Sequence, residues 1–260
     1  MLKKRKKEGG KESLNRQYHL VYGHKISYLT GGQKNNPPLV FLHGVFASAA
    51  IYRRFLKILS RKFRVYAIDL PGFGRSSMPR NILTIDDYTD IIFRFITDLK
   101  IKKPVMAGHS AGGLVALDMA LRHGHILKKI VLINAAGLKL KYSFKDLYID
   151  LILKSHINQI SRYHLWREAL IILSDFIRGA ATPVYWKILK HDSFVNYETK
   201  LKKIKIPALI IWGKNDLLFP IHFARKFKEL LPNSKLITTN GDHDWLVLHP
   251  KQTYPLLNKI

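Results

Sequence analysis

The chain of 260 residues contains no cysteine, which excludes disulfide frameworks, thiolate metal sites and cysteine nucleophiles together. Acidic residues are scarce too: 18 Asp and Glu stand against 44 Lys and Arg, a formal net charge of +26. A field of that sign attracts nucleic acid, anionic lipid or acidic substrates, and it is a property of association rather than of fold. Long apolar runs are also missing. The longest, such as Ala208 to Trp212 and Ala169 to Leu173, fall far short of the about 20 residues that span a bilayer. The basic start from Met1 to Asn15 leads into no apolar stretch of the kind a secretory signal carries. These absences imply a soluble, cytoplasmic protein. Lysine and arginine are spread along the whole sequence without a nucleic-acid-binding motif among them. No specific nucleic-acid partner is therefore expected, while peripheral contact of the basic residues with an anionic membrane surface stays open.

What is present is an alternation. After a polar, charged stretch read as a disordered basic tail (residues 1–15), His19 to Tyr22 and Lys25 to Leu29 flank Gly23-His24 as an opening antiparallel hairpin. Short, wholly apolar runs follow at Leu39–Leu42, Val65–Ile68, Val105–Ala107, Ile130–Ile133 and Ala208–Trp212. Continuous apolarity marks strands covered on both faces. Between them the spacing of Tyr88, Ile91, Ile92, Phe95, Ile96 and Leu99 predicts a helix with one buried face, and Thr84 and Asp87 stand where a capping box belongs. Strands alternating with helices give an α/β class with a mostly parallel sheet. The alternation breaks over residues 138–200, where helix-like, aromatic-rich segments follow one another. That stretch is read as a helical cap inserted into a sheet domain formed by residues 16–137 and 201–260.

In Pro104 to Leu114 an apolar strand runs straight into Gly108-His109-Ser110-Ala111-Gly112 and then into a helical pattern. Gly-x-Ser-x-Gly by itself is an ordinary glycine-rich turn. Placed between strand and helix it puts a serine hydroxyl on a tight turn at a helix N-terminus. A serine hydroxyl is a weak nucleophile near neutral pH and needs a histidine base held by a carboxylate. Asp216, in the loop after Ala208–Trp212, is the candidate acid. Among 12 histidines, His243 is the candidate base, because it lies in a glycine-bearing loop after a last strand at Lys235–Thr239. His123 and His125 close a helix, and His249 precedes a proline. Oxyanion donors are expected from the backbone N–H of Ala111 and of Val45, the latter in the loop Leu42-His43-Gly44-Val45-Phe46 after an early strand. His43 is expected to brace that loop and not to act as a base.

With these pieces in order, the sequence resembles the α/β-hydrolase superfamily from the end of the tail onward. The resemblance rests on His43-Gly44, on Asp69-Leu70-Pro71-Gly72-Phe73-Gly74-Arg75-Ser76, on the elbow Gly108 to Gly112, and on Gly241-Asp242-His243 followed by Pro250. It implies an eight-stranded, mostly parallel sheet flanked by helices, and a Ser110, Asp216, His243 triad working without metal or organic cofactor. Members with this layout include carboxylesterases, monoacylglycerol lipases, carbon–carbon bond hydrolases and peptidases; Ser110 argues against the aspartate-nucleophile dehalogenases and epoxide hydrolases. Val45-Phe46-Ala47 differs from the glycine-proline-glycine loop of iminopeptidase-like members, and Leu248 stands where many relatives are acidic. The expected activity is hydrolysis of a carboxylic ester with an apolar moiety through an acyl-enzyme, with Phe46, Trp166 and Trp186 lining the substrate pocket. Carbon–carbon, amide or thioester cleavage on the same triad, or non-catalytic binding of anionic lipid or nucleic acid, are the alternatives.

Overall fold

A computed structural model describes residues 13–45, 47–139 and 196–260, together with helical positions at Leu170, Ile171, Leu173, Ser174 and Ile177. Strand β1 (Asn15–Val21) turns through Tyr22-Gly23, both at positive φ (47° and 79°), into β2 (His24–Gly31). Two consecutive left-handed residues suit the twist of a two-residue hairpin, so the turn sits one residue earlier than Gly23-His24. The strand opens at Asn15, just inside the segment expected to be a tail, and Leu14 before it is buried.

The remaining strands are β3 (Pro38–Leu42), β4 (Arg64–Ile68), β5 (Val105–His109), β6 (Lys129–Ile133), β7 (Ala208–Gly213) and β8 (Ser234–Thr239). They form one eight-stranded sheet in the order β1-β2-β4-β3-β5-β6-β7-β8, in which the β1–β2 and β2–β4 pairs are antiparallel and all the others parallel. Because β3 to β8 all run the same way, the loops at their C-terminal ends gather at one edge, where open α/β sheets carry their ligands.

Helices cover both faces. On one side α2 (Ile85–Asp98), α3 (Ala111–His123) and α4 (Ile221–Leu230) pack with Val40, Met106 and Ile210. On the other, α1 (Arg53–Leu59), the short α5 (Trp245–Leu248) and the C-terminal turns pack with Phe41, Val131 and Ile211. Adjacent residues of one strand thus feed opposite cores, the period of two that makes these strands apolar throughout. Helix α2 buries Tyr88, Ile91, Ile92, Phe95 and Ile96, each contributing about 1.5–3 kcal/mol. Its start carries the expected capping box: Thr84 Oγ1 accepts the Asp87 N–H, and Asp87 accepts the Thr84 N–H.

The cap expected over residues 138–200 lies for the most part outside the described residues. Its two stems are described, and they meet. The Tyr197 N–H donates to the Gly137 carbonyl at 2.8 Å, and the Tyr197 hydroxyl donates to the buried Asp118 carboxylate of α3 at 2.7 Å. Burial, then the bond to Asp118, pushes the Tyr197 phenol well above its ordinary value. The chain therefore departs from and rejoins the sheet domain at one point beside α3. Among the described residues no helix is long and apolar enough to cross a membrane.

Replacing Thr84 with Ala removes one half of the capping box and lowers stability by about 1 kcal/mol, measured as a shift of the urea midpoint at unchanged slope.

Candidate active site

Strand β5 hands over to α3 at Ser110, whose backbone lies at φ 53° and ψ −121°. A non-glycine residue there costs of order 1–3 kcal/mol, and neighbouring contacts hold it. The Ser110 N–H donates to the Ile133 carbonyl of β6, and the Ser110 carbonyl accepts from Gly113 and Ala136. The two motif glycines are required by close approach. A Cβ on Gly108 would lie 2.2 Å from the Gly112 carbonyl oxygen, and one on Gly112 would lie 2.4 Å from that of Leu42. The turn can tighten only because both lack side chains, and it leaves Ser110 7% exposed at the sheet edge.

The loop after β3 reaches this serine: a Cβ placed on Gly44 would stand 3.0 Å from Ser110 Cβ and 3.5 Å from Oγ. Val45, next along, and Ala111, next after the serine, line one apolar cavity together with Leu70, Phe73 and Tyr88. His43 braces the loop, as expected. Its Nε2 accepts the Leu70 N–H at 3.0 Å, which leaves Nδ1 to donate to the Gly44 carbonyl at 2.7 Å. Burial lowers its pKa, so the ring is neutral and this tautomer is fixed.

Asp216 follows β7 and is fully enclosed. Its Oδ1 accepts the N–H groups of Leu218 and Phe219, each at 2.8 Å. Its Oδ2 accepts from the Asn134 amide and from His243 Nδ1, the latter at 2.8 Å. Burial disfavours a charged His243 ring, but the Asp216 carboxylate, its hydrogen bond, and Asp244 and Asp242 together outweigh burial and push the pKa up to about 9. Asp216, and neither of the adjacent aspartates, is the carboxylate on the ring nitrogen.

Three residues essential to this geometry were not singled out from the sequence. Asn134, at the end of β6, has φ 43°. While its amide donates to Asp216, its Oδ1 accepts from Gly213 N–H and from the Trp245 indole N–H. An asparagine closing an apolar strand is a readable signal, since Asn tolerates the left-handed region better than most residues. His109 and Tyr52 are the other two. His109 Nε2 lies 2.9 Å from the His243 carbonyl oxygen and so carries the proton; its Nδ1 then accepts from the Tyr52 hydroxyl at 2.9 Å. The same hydroxyl faces the Gly44 N–H at 3.4 Å. Burial, followed by repulsion from His243, drops His109 to about 4. Two rings with centroids 4.9 Å apart are thus shifted in opposite directions, His243 upward by the carboxylate it bonds and His109 downward by burial and by its neighbour.

Of the other predicted site residues, Phe46, Trp166 and Trp186 lie outside the described residues.

Comparison with known proteins agrees with the geometry. The sequence model of a family described by the alpha/beta hydrolase fold matches residues 37–155, and the eight-stranded, mostly parallel sheet agrees with that fold; this likeness and the hydrolase-named relatives support an enzyme of the hydrolase class. It is 28% identical over 218 residues to the uncharacterized hydrolase YugF of Bacillus subtilis, covering 76% of this chain and 80% of that protein. It is 24% identical over 258 residues to 2-hydroxy-6-oxo-6-(2'-aminophenyl)hexa-2,4-dienoic acid hydrolase of Metapseudomonas resinovorans, covering 88% and 84% respectively. The crystal structure of a membrane phospholipase A from a bacterium superposes with a TM-score of 0.79 at 23% identity, over 95% of this chain and 86% of that one.

Titration of His243 followed by NMR is expected to give a midpoint near pH 9. In Asp216→Asn, where burial acts without the opposing charge, the midpoint falls to the ordinary histidine value of about 6.5 or below. An unchanged midpoint in that variant contradicts the assignment of Asp216 as the source of the shift.

Proposed function

We propose that the protein is a serine hydrolase that cleaves carboxylic esters with an apolar moiety through an acyl-enzyme. The observation that carries this reading is the bond between His243 Nδ1 and Asp216 Oδ2 at 2.8 Å, in a fold that sets Ser110 on a strained turn at the same sheet edge. In the proposed mechanism Ser110 Oγ attacks the ester carbonyl and passes its proton to His243 Nε2. The oxyanion of the tetrahedral intermediate is held by the N–H groups of Val45 and Ala111. His243 then protonates the departing alcohol, leaving Ser110 acylated. Water, deprotonated by the same histidine, attacks the acyl carbonyl, and collapse of the second intermediate returns the proton to Ser110 and frees the acid. Asp216 stays ionised throughout and stabilises the imidazolium. The apolar lining from Leu70, Phe73 and Tyr88 favours an apolar group on the substrate, since a polar one would lose water there without a partner.

A serine-reactive fluorophosphonate should label the protein at Ser110 and leave Ser110→Ala unlabelled. The same variant should lose hydrolysis of a short-chain aryl ester by at least about 10³-fold, in line with losses on removal of a triad member, at unchanged folding. Labelling or turnover that survives the substitution rejects the mechanism.

The proposal also fixes the direction of the pH profile. His243 must be neutral to accept a proton, so its raised pKa places the acid limb high: kcat/KM should rise about tenfold per pH unit and level off near pH 9. A plateau already reached at pH 7 overturns the raised pKa of His243, and a profile without an acid limb overturns its role as base.

A further inference from the structure

Tyr18, Leu20 and Tyr22 are 45%, 65% and 65% exposed and lie within five residues along β1 and its turn. The opposite face of β1 is covered: His19 meets Phe95 of α2 edge-on, and Val21 is buried. On the open face Lys25, paired with Leu20 across the hairpin, holds its ammonium 4.4 Å from the Tyr18 ring centroid. This face lies on the α1 side of the sheet, since Leu29, which pairs with Arg16, joins the core formed with α1.

The hairpin end is also tied to the site. The Lys25 carbonyl accepts the Ser77 N–H, the Lys25 N–H donates to Ser77 Oγ, and the Ser27 carbonyl accepts the Asp69 N–H. The loop so held, residues 69–77, contributes Leu70 and Phe73 to the cavity beside Ser110.

Charge along the chain here is nearly of one sign, with Asp98 of α2 meeting His19 on the covered face of β1. Residues 13–85 contain 11 Lys and Arg and a single acid, Asp69. That acid is fully buried and is bonded by Arg16, Ser27, Ala49 and Arg75, so no carboxylate in this stretch faces solvent. Exposed cations stand on α1 (Arg54, Lys57), just after it (Arg61) and on the loop that follows β4 (Arg75, Arg80).

We infer that the open face of the β1–β2 hairpin, with the cations of α1 and of the loop after β4, docks on a lipid bilayer carrying anionic headgroups. The juxtaposition favours a bilayer over a nucleic acid. Both take the cations, but a phosphodiester backbone offers nothing to an exposed leucine, whereas the bilayer interface receives tyrosine rings at headgroup level and leucine beneath them. Attachment through the hairpin turns the sheet edge that bears the cavity toward the lipid surface.

The test is co-sedimentation of the full chain with vesicles of phosphatidylcholine alone or mixed with phosphatidylserine. Binding to the anionic vesicles is expected, weakened as salt rises from about 0.1 M to about 1 M, over which the Debye length shrinks from about 10 to about 3 Å. Leu20→Glu/Tyr22→Glu should lower the bound fraction at least about tenfold, and Arg75→Glu/Arg80→Glu should lower it while leaving a weaker salt dependence. Urea midpoints like that of the parent chain establish that both variants fold. Absence of binding to the anionic vesicles, or binding undiminished in Leu20→Glu/Tyr22→Glu, overturns the inference. So does a parent chain that stays off vesicles but forms a dimer which that variant dissociates, since the face then serves a second copy. Retention by single-stranded RNA that the same variant abolishes, without vesicle binding, overturns it in favour of nucleic acid.

Discussion

A carboxylate enclosed by protein must be surrounded by donors or give up its charge. Asp216 is surrounded: two backbone N–H groups from its own loop, the amide of Asn134 and the ring of His243. These donors arrive from the ends of three strands, so satisfying one buried charge fixes the relative positions of the loops after β6, β7 and β8. Asn134 extends the constraint by accepting from Gly213 and Trp245, which ties the histidine loop to the core through the indole as well as through the ring of His243. The protonation pattern follows from the same source. The carboxylate raises the pKa of His243, which bonds it, while burial and repulsion from His243 lower that of His109 beside it.

The other half of the site depends on approach distance. The elbow closes because Gly108 and Gly112 admit backbone where a Cβ would collide, and the serine that results sits against Gly44. Between the halves run Tyr52 and His109, from the Gly44 N–H through two side chains to the carbonyl of His243. The loop proposed to hold the oxyanion and the loop carrying the base are therefore not positioned independently. A single buried hydrogen-bond chain spans them, beneath the nucleophile.

The parts legible in the sequence were those with a local signature. Wholly apolar runs marked β3 to β7 to within two residues, and the Thr84 and Asp87 pair marked the start of α2. Ser110, Asp216 and His243 were legible because each follows a readable strand, so order along the chain stood in for position along a sheet edge. Asn134 and Tyr52 gave no such sign. Their partners are 82 and 57 residues away, and what each bonds is decided by which strands become neighbours. His109 was hidden by its neighbour, since the elbow motif specifies the serine and the glycines and leaves that position open. The hairpin turn was misplaced by one residue because Gly23 marks a turn without revealing that Tyr22 shares the left-handed conformation. The excess of basic residues was plain in the composition, but their concentration beside the exposed Tyr18, Leu20 and Tyr22 shows only once β1 has an inside and an outside.

The two buried aspartates differ in when their partners become available. Arg16 and Ser27 precede Asp69 in the chain, so during synthesis the counter-ion and a hydroxyl are already made when that carboxylate emerges. Asp216 has Asn134 behind it by 82 residues, but His243 follows it by 27, after all of β8. The first acid can be enclosed as soon as its strand pairs. The second must wait for nearly the last part of the chain before its ring partner exists.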